Sequence, residues 1–116
     1  VIAAMLRITQ TEYKGILTVS YMGELDQHSA RDTIHQSEDL LTLYPCQKMV
    51  LNLAGLSFMD SSGLAVVLHL HRTCQRLGCE FSVYHTPPQP MRVFEAAGLP
   101  RMIQFEKENL YADSDE

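Results

Sequence analysis

The chain has 116 residues, 46% of them hydrophobic and 20% charged, with a formal net charge of −5 at pH 7. That length suits one domain with a single core, and an acidic chain whose 9 Lys and Arg are scattered rather than clustered argues against a nucleic-acid binder. No apolar run reaches the roughly 20 residues of a bilayer-spanning helix, and no basic stretch leading into an apolar core marks a secretory signal, so a cytoplasmic location is expected.

Val1-Ile2-Ala3-Ala4 precedes Met5; this apolar lead is either an appended remnant or part of the first strand. Leu6-Arg7-Ile8-Thr9 alternates in polarity, Glu12-Tyr13-Lys14-Gly15 gives a turn, and residues 16–22 are rich in β-branched and aromatic side chains. The two runs form an antiparallel pair, with a longer loop than the tightest hairpins use. After Gly23-Glu24-Leu25-Asp26, a helix is expected over residues 29–44. Ser29 and Asp32 have capping-box spacing, with Asp26 an equal candidate for the cap, and Pro45 stops the helix. Met49-Val50-Leu51-Asn52-Leu53 suits a short strand buried inside a sheet. A second helix is expected over residues 61–77, apolar on two neighbouring faces and therefore well buried, ending at Gly78. Residues 81–84 form a further strand, Thr86-Pro87-Pro88 breaks the chain, residues 89–97 form a short helix, and residues 102–105 form an edge strand. Strand–helix alternation after an initial strand pair specifies an α/β sheet with parallel strands.

Cys46, Cys74 and Cys79 are odd in number and form no C-x-x-C pair, which argues against a disulfide scaffold and against structural zinc, and for reduced thiols. Of the histidines, His28 and His35 are seven apart and His69 and His71 two apart, whereas helical pairs that share a metal sit three or four apart. No P-loop or dinucleotide fingerprint occurs, so neither a cofactor nor a metal is expected.

The segment Leu56-Ser57-Phe58-Met59-Asp60-Ser61-Ser62-Gly63-Leu64 reads as a strand's exit loop entering the second helix. A helix start carries free N–H groups and the positive end of the macrodipole, so it favours anions. A serine there caps the helix, attacks a substrate or accepts a phosphate. A nucleophile elbow needs G-x-S-x-G, but Met59 replaces the first glycine. Glu24 with Asp26 could form an acid–base pair, but a turn and a helix start explain both. Asp60, Ser61, Ser62 and Gly63 crowd a position where one cap would suffice, which suits a small exposed site read by a partner.

These residues resemble the STAS domains, and within them the bacterial anti-sigma factor antagonists. Met22-Gly23-Glu24-Leu25-Asp26 is similar to the family's segment leading into its first helix, residues 49–64 to its central strand and phosphorylation loop, and Pro88 to Leu99 to its late helix and following turn. The resemblance spans residues 5–111 and is most specific at Phe58-Met59-Asp60-Ser61-Ser62-Gly63-Leu64. It implies one STAS domain over residues 1–116, with 113–116 a frayed tail. It implies an α/β fold, a four- to five-stranded mixed β-sheet with helices packed on one face. It implies no catalysis. Instead, the unphosphorylated protein binds an anti-sigma factor, which is commonly a serine kinase, and so releases a sigma factor. The kinase phosphorylates the first serine after the aspartate, here Ser61, and a serine phosphatase resets the switch. Asp26, Asp60, Ser61, Ser62 and Gly63 become the partner-binding set, with no nucleic-acid or membrane partner. The alternatives are a STAS module of a lipid or anion transport system without the phospho-switch, and a small serine hydrolase. A phosphate on Ser61 is expected to be tolerated by the fold because the helix start favours anions.

Overall fold

The computed structural model describes residues 6–106; the lead at 1–4 and the tail at 113–116 lie outside the described residues. The elements in order are β1 (Arg7–Tyr13), β2 (Ile16–Leu25), α1 (Ala30–Leu43), β3 (Lys48–Met59), α2 (Ser62–Leu77), β4 (Glu80–Tyr84), α3 (Pro88–Ala96), a 3-10 turn at Leu99–Arg101, and β5 (Gln104–Glu106). The five strands lie side by side in chain order, β1-β2-β3-β4-β5. β1 runs antiparallel to β2, and every other neighbouring pair is parallel. Each parallel connection therefore steps one strand in the same direction, and right-handed crossovers then place α1, α2 and α3 on one face of the sheet.

The core lies between that face and the helices. Leu17, Val19 and Tyr21 of β2 are fully buried while Thr18, Ser20 and Met22 between them are not, the period-two pattern of a sheet covered on one side. Met49, Leu51 and Leu53 of β3 continue this layer and meet Val66, Val67 and Leu70 of α2 and Phe94 of α3. α1 is anchored by a buried polar contact, Tyr21 Oη to Ser37 Oγ at 2.6 Å. Burial pushes the Tyr21 phenol far above its ordinary range, so it stays neutral and able to donate.

Four local expectations are corrected. The hairpin has the tightest loop, Lys14 and Gly15 alone between β1 and β2. Their φ values of 51° and 82° are the positive pair that a type I′ turn requires; glycine meets this freely, and lysine adopts it despite its Cβ. β3 does not end at Leu53 but runs to Met59, so Leu56-Ser57-Phe58-Met59 is strand and not exit loop. Register shifts between Ser20 and Met22 and between Gly23 and Glu24 absorb the irregularity. α2 buries one stripe, Gly63, Val66, Val67, Leu70, Thr73 and Cys74; Leu77 is 59% exposed, so the apolar coverage is narrower than the sequence suggests. Finally, Gly98 enters a 3-10 turn before β5 begins at Gln104, two residues later than expected.

Candidate functional site

The site stands where β2 and β3 end and the helices begin. The two strands stay paired to Leu25↔Met59, so the next residues, Asp26 and Asp60, emerge from neighbouring strands that lie about 4.8 Å apart. The Asp60 N–H donates to the Leu25 carbonyl at 3.2 Å and prolongs the pairing by one step.

The two aspartates do the same job on their own helices. Asp26 Oδ1 accepts the N–H groups of His28 (2.9 Å) and Ser29 (3.2 Å), and the Asp26 carbonyl accepts Ala30 N–H at 2.9 Å. Ser29 occupies the N-cap position of α1 but makes no capping bond with its side chain; its hydroxyl accepts the Asp26 N–H at 3.1 Å. Asp26, not the Ser29–Asp32 pair, is therefore the cap. At α2, Asp60 Oδ1 accepts the Ser62 N–H at 2.8 Å. The Gly63 and Leu64 N–H groups turn back to the carbonyls of Asp60 (3.0 Å) and Ser61 (3.1 Å), a 3-10-like first turn. The Ser62, Gly63 and Leu64 N–H groups of the first turn are thus engaged already, the first of them by a carboxylate.

Ser61 is left over by this arrangement. It has helical backbone angles (φ −65°, ψ −16°) and makes no capping bond, and it is exposed. No histidine bonds it among the described residues, so it has no base to activate it as a nucleophile. Ser62 is half-buried and Gly63 is buried. Gly63 shapes the site from beneath: a Cβ there would fall 2.4 Å from Met59 Cγ and Sδ and 3.2 Å from Leu25 Cδ2. Only a residue without a side chain lets α2 close onto the ends of β2 and β3.

Two further residues belong to the site and carried no local signal. Gln89, in the first turn of α3, uses its amide as a peptide mimic. Its Oε1 accepts the Met59 N–H at 2.9 Å and its Nε2 donates to the Met59 carbonyl at 2.8 Å. The residue just before Asp60 is thereby pinned from 30 positions away. Arg92, one turn on, lines a groove of about 530 Å3 together with Ser61, Leu64, Gln89, Val93, Ala96 and Ala97. Ser61 therefore sits between an acidic side, Asp26 and Asp60, and a groove with an apolar floor and one guanidinium. Phe58, 41% exposed, pairs with Glu24 on the same strand ends.

Among the described residues no group of three or more His, Cys, Asp or Glu gathers as a metal site, and no helix is long and apolar enough to cross a membrane.

The family model described as "STAS domain" matches residues 7–116, and the in-order mixed sheet with its helices on one face, ending at an aspartate-flanked serine, defines a domain of that class. An anti-sigma F factor antagonist of Paenibacillus polymyxa is 34% identical over 94 residues, which cover 81% of this chain and 80% of the relative. The chain belongs to the anti-sigma factor antagonist family of STAS domains, whose members are non-enzymatic regulators. The fold agrees: the structure of the anti-sigma factor antagonist SpoIIAA in its unphosphorylated form superposes with a TM-score of 0.73 over 95% of each chain at 22% identity. The Bacillus SpoIIAA in the phosphorylated form superposes with a TM-score of 0.64 over 98% of this chain and 100% of that one at 23% identity.

Proposed function

We propose that this antagonist works as a cytoplasmic partner switch with Ser61 as its phosphate acceptor. Unphosphorylated, it binds an anti-sigma factor through Asp26, Asp60, Ser61, Ser62 and the groove beside them, and so frees the sigma factor. The anti-sigma factor, acting as a serine kinase, phosphorylates Ser61 and ends the complex, and a serine phosphatase restores it.

The observation that carries this reading is the division of labour at the start of α2. Asp60 takes the capping role, with its Oδ1 on the Ser62 N–H at 2.8 Å, which leaves the neighbouring hydroxyl exposed and unused by the fold. A phosphate adds about −1.5 to −2 charges at pH 7. With the first-turn donors occupied, those charges stay at the surface beside Asp26 and Asp60. The physical effect is a local concentration of negative charge and bulk where a partner must dock, with nothing inside the domain that has to move. Like charges brought together at an interface cost several kcal/mol, enough to dissolve a complex of moderate affinity.

The test is incubation of the chain with its anti-sigma kinase and ATP, followed by peptide mass spectrometry. Phosphate on Ser61 supports the reading. Phosphate on Ser62 alone moves the acceptor by one position, and no incorporation removes the phospho-switch and favours a STAS module that works by binding alone.

A further inference from the structure

At the end of α2 opposite Ser61, the fold gathers thiols that the sequence keeps apart. Cys46 lies in the connection from α1 to β3, and Cys79 follows Gly78, the residue that ends α2. Their sulfurs are 3.4 Å apart across a sequence separation of 33. Cys46 is partly exposed and Cys79 is 8% exposed. A cavity of about 340 Å3, lined by Leu41, Thr42, Pro45, Cys46, Leu77 and Cys79, opens onto the pair. The third thiol, Cys74, is buried on the inner side of α2 with its sulfur 3.9 Å from Met49 Sδ.

The backbone around the pair is fixed by the sheet. Lys48 pairs with Glu80, and the Glu80 N–H donates to the Gln47 carbonyl at 2.9 Å. Cys46 and Cys79 thus lie just ahead of two adjacent strands, one residue out of register, where their side chains meet at the sulfurs. Closing the bond takes the sulfurs from 3.4 Å to the roughly 2.0 Å of a disulfide. Zinc fits less well, because it takes four ligands and the described residues offer no cluster of three.

We propose that Cys46 and Cys79 are a redox pair that closes to a reversible disulfide on oxidation by hydrogen peroxide. The Cys46 thiolate attacks one peroxide oxygen. The O–O bond breaks, the departing hydroxide takes up the proton that Cys46 lost, and the sulfur becomes a sulfenic acid. The Cys79 sulfur then attacks the Cys46 sulfur. The S–O bond breaks, and the hydroxide leaves with the Cys79 proton as water. Two thiols are oxidised, and one peroxide is reduced to two waters.

Cys46 is the first to react because it is the more accessible of the two. Burial, with the adjacent Cys79 thiol, pushes Cys46 up to about 12, so its thiolate is scarce at neutral pH. The bridge ties the α1–β3 connection to the end of α2. The 16-residue helix spans about 24 Å, so the Ser61 end is left untouched. The inference stands independently of the role proposed for Ser61.

The full chain is treated with hydrogen peroxide, its remaining thiols are alkylated under denaturing conditions, and the peptides are mapped by mass spectrometry. The expected result is a monomer carrying a Cys46–Cys79 linked peptide with Cys74 alkylated, a raised melting temperature, and return of all thiols on treatment with dithiothreitol. Cys74→Ser keeps the bridge and Cys46→Ser abolishes it. A bridge that includes Cys74, a disulfide between two chains, sulfinic acid on Cys46 with Cys79 still alkylatable, or no oxidation at all overturns the proposal.

Discussion

At its N-terminal end α2 is held by side-chain and main-chain hydrogen bonds that leave a hydroxyl over; at its C-terminal end main-chain bonds alone close the helix, Gly78 N–H to the Gln75 carbonyl at 3.2 Å and Cys79 N–H to the Cys74 carbonyl at 2.8 Å, and the side chains gathered there are sulfurs and apolar groups. The first end uses the Asp60 carboxylate on Ser62, main-chain bonds on Gly63 and Leu64, and the Gln89 amide on Met59. The second uses Cys74 against Met49, the Cys46–Cys79 contact and the cavity beside Pro45. Directional bonds fix geometry while leaving the surface polar and open to a partner. Soft, apolar side chains around a main-chain frame that is itself bonded leave room for a chemical change. One helix thus carries the proposed docking site at one end and the proposed redox pair at the other, about 24 Å apart.

Changes at the N-terminal end are expected to separate function from stability, and the largest effect is on binding. Ser61→Asp lowers affinity for the anti-sigma partner about 100-fold, about 2.7 kcal/mol, while the melting temperature shifts by no more than about 1 °C. Titration calorimetry beside a thermal scan reads both quantities, and undiminished binding would take Ser61 out of the interface. Gly63→Ala reverses the pattern, because the new Cβ meets the buried Met59 side chain at 2.4 Å. Overpacking costs about 2 kcal/mol even after the gain in helix propensity, visible as a lower urea midpoint with an unchanged slope.

Gln89→Ala is expected to be milder in stability, about 1.5 kcal/mol for the bonds lost at Met59. Its signature is local: hydrogen exchange at the Met59 amide quickens while amides in the middle of β3 keep their protection. Equal exchange at Met59 in both proteins would show that the tether is dispensable.

The smallest effect lies in the middle of the helix. Glu38 of α1 accepts from His69 Nε2 at 2.5 Å and Thr73 Oγ1 at 3.0 Å, both on α2. Burial alone raises the Glu38 carboxyl, but the hydrogen bonds from His69 and Thr73 and the charges of His69 and Arg76 outweigh it and hold the group below its ordinary value. A carboxyl lowered in the folded state stabilises the protein fully above the ordinary value of 4.5 and loses that contribution as pH falls through the lower, folded value. The side chain is 31% exposed, so the contribution is about 0.5 kcal/mol. Urea unfolding at about pH 6.5 and about pH 3.5 is expected to show Glu38→Gln less stable only at the higher pH, with the gap to wild type closing in acid.

What could be read in the sequence was what is local. The β-branched and aromatic run of β2, the stop at Pro45, the glycine that ends α2 and the Asp60-Ser61-Ser62-Gly63 cluster all depend on residues within a few positions of one another. The length of β3 was hidden because Ala54 and Gly55 break the apolar pattern while pairing with β2 continues past them. The tight hairpin was hidden because Lys14 is not a residue that advertises a positive φ. The Gln89 tether and the Cys46–Cys79 contact, 30 and 33 positions apart, depend on which strands become neighbours. No spacing in the chain encodes that. The same reason explains why Asp26 and Asp60 could be placed together only through the family's pattern.

The in-order sheet has a consequence for biosynthesis. Asp26 follows β2, Asp60 and Ser61 follow β3, and Gln89 arrives only after β4, with α3. A chain emerging from a ribosome presents the serine well before it presents the amide that steadies it. A nascent or prematurely terminated copy that stops short of α3 carries Ser61 without the amide that braces Met59. Completeness of translation is thereby a condition for the braced geometry at Met59, which a fragment ending before α3 lacks.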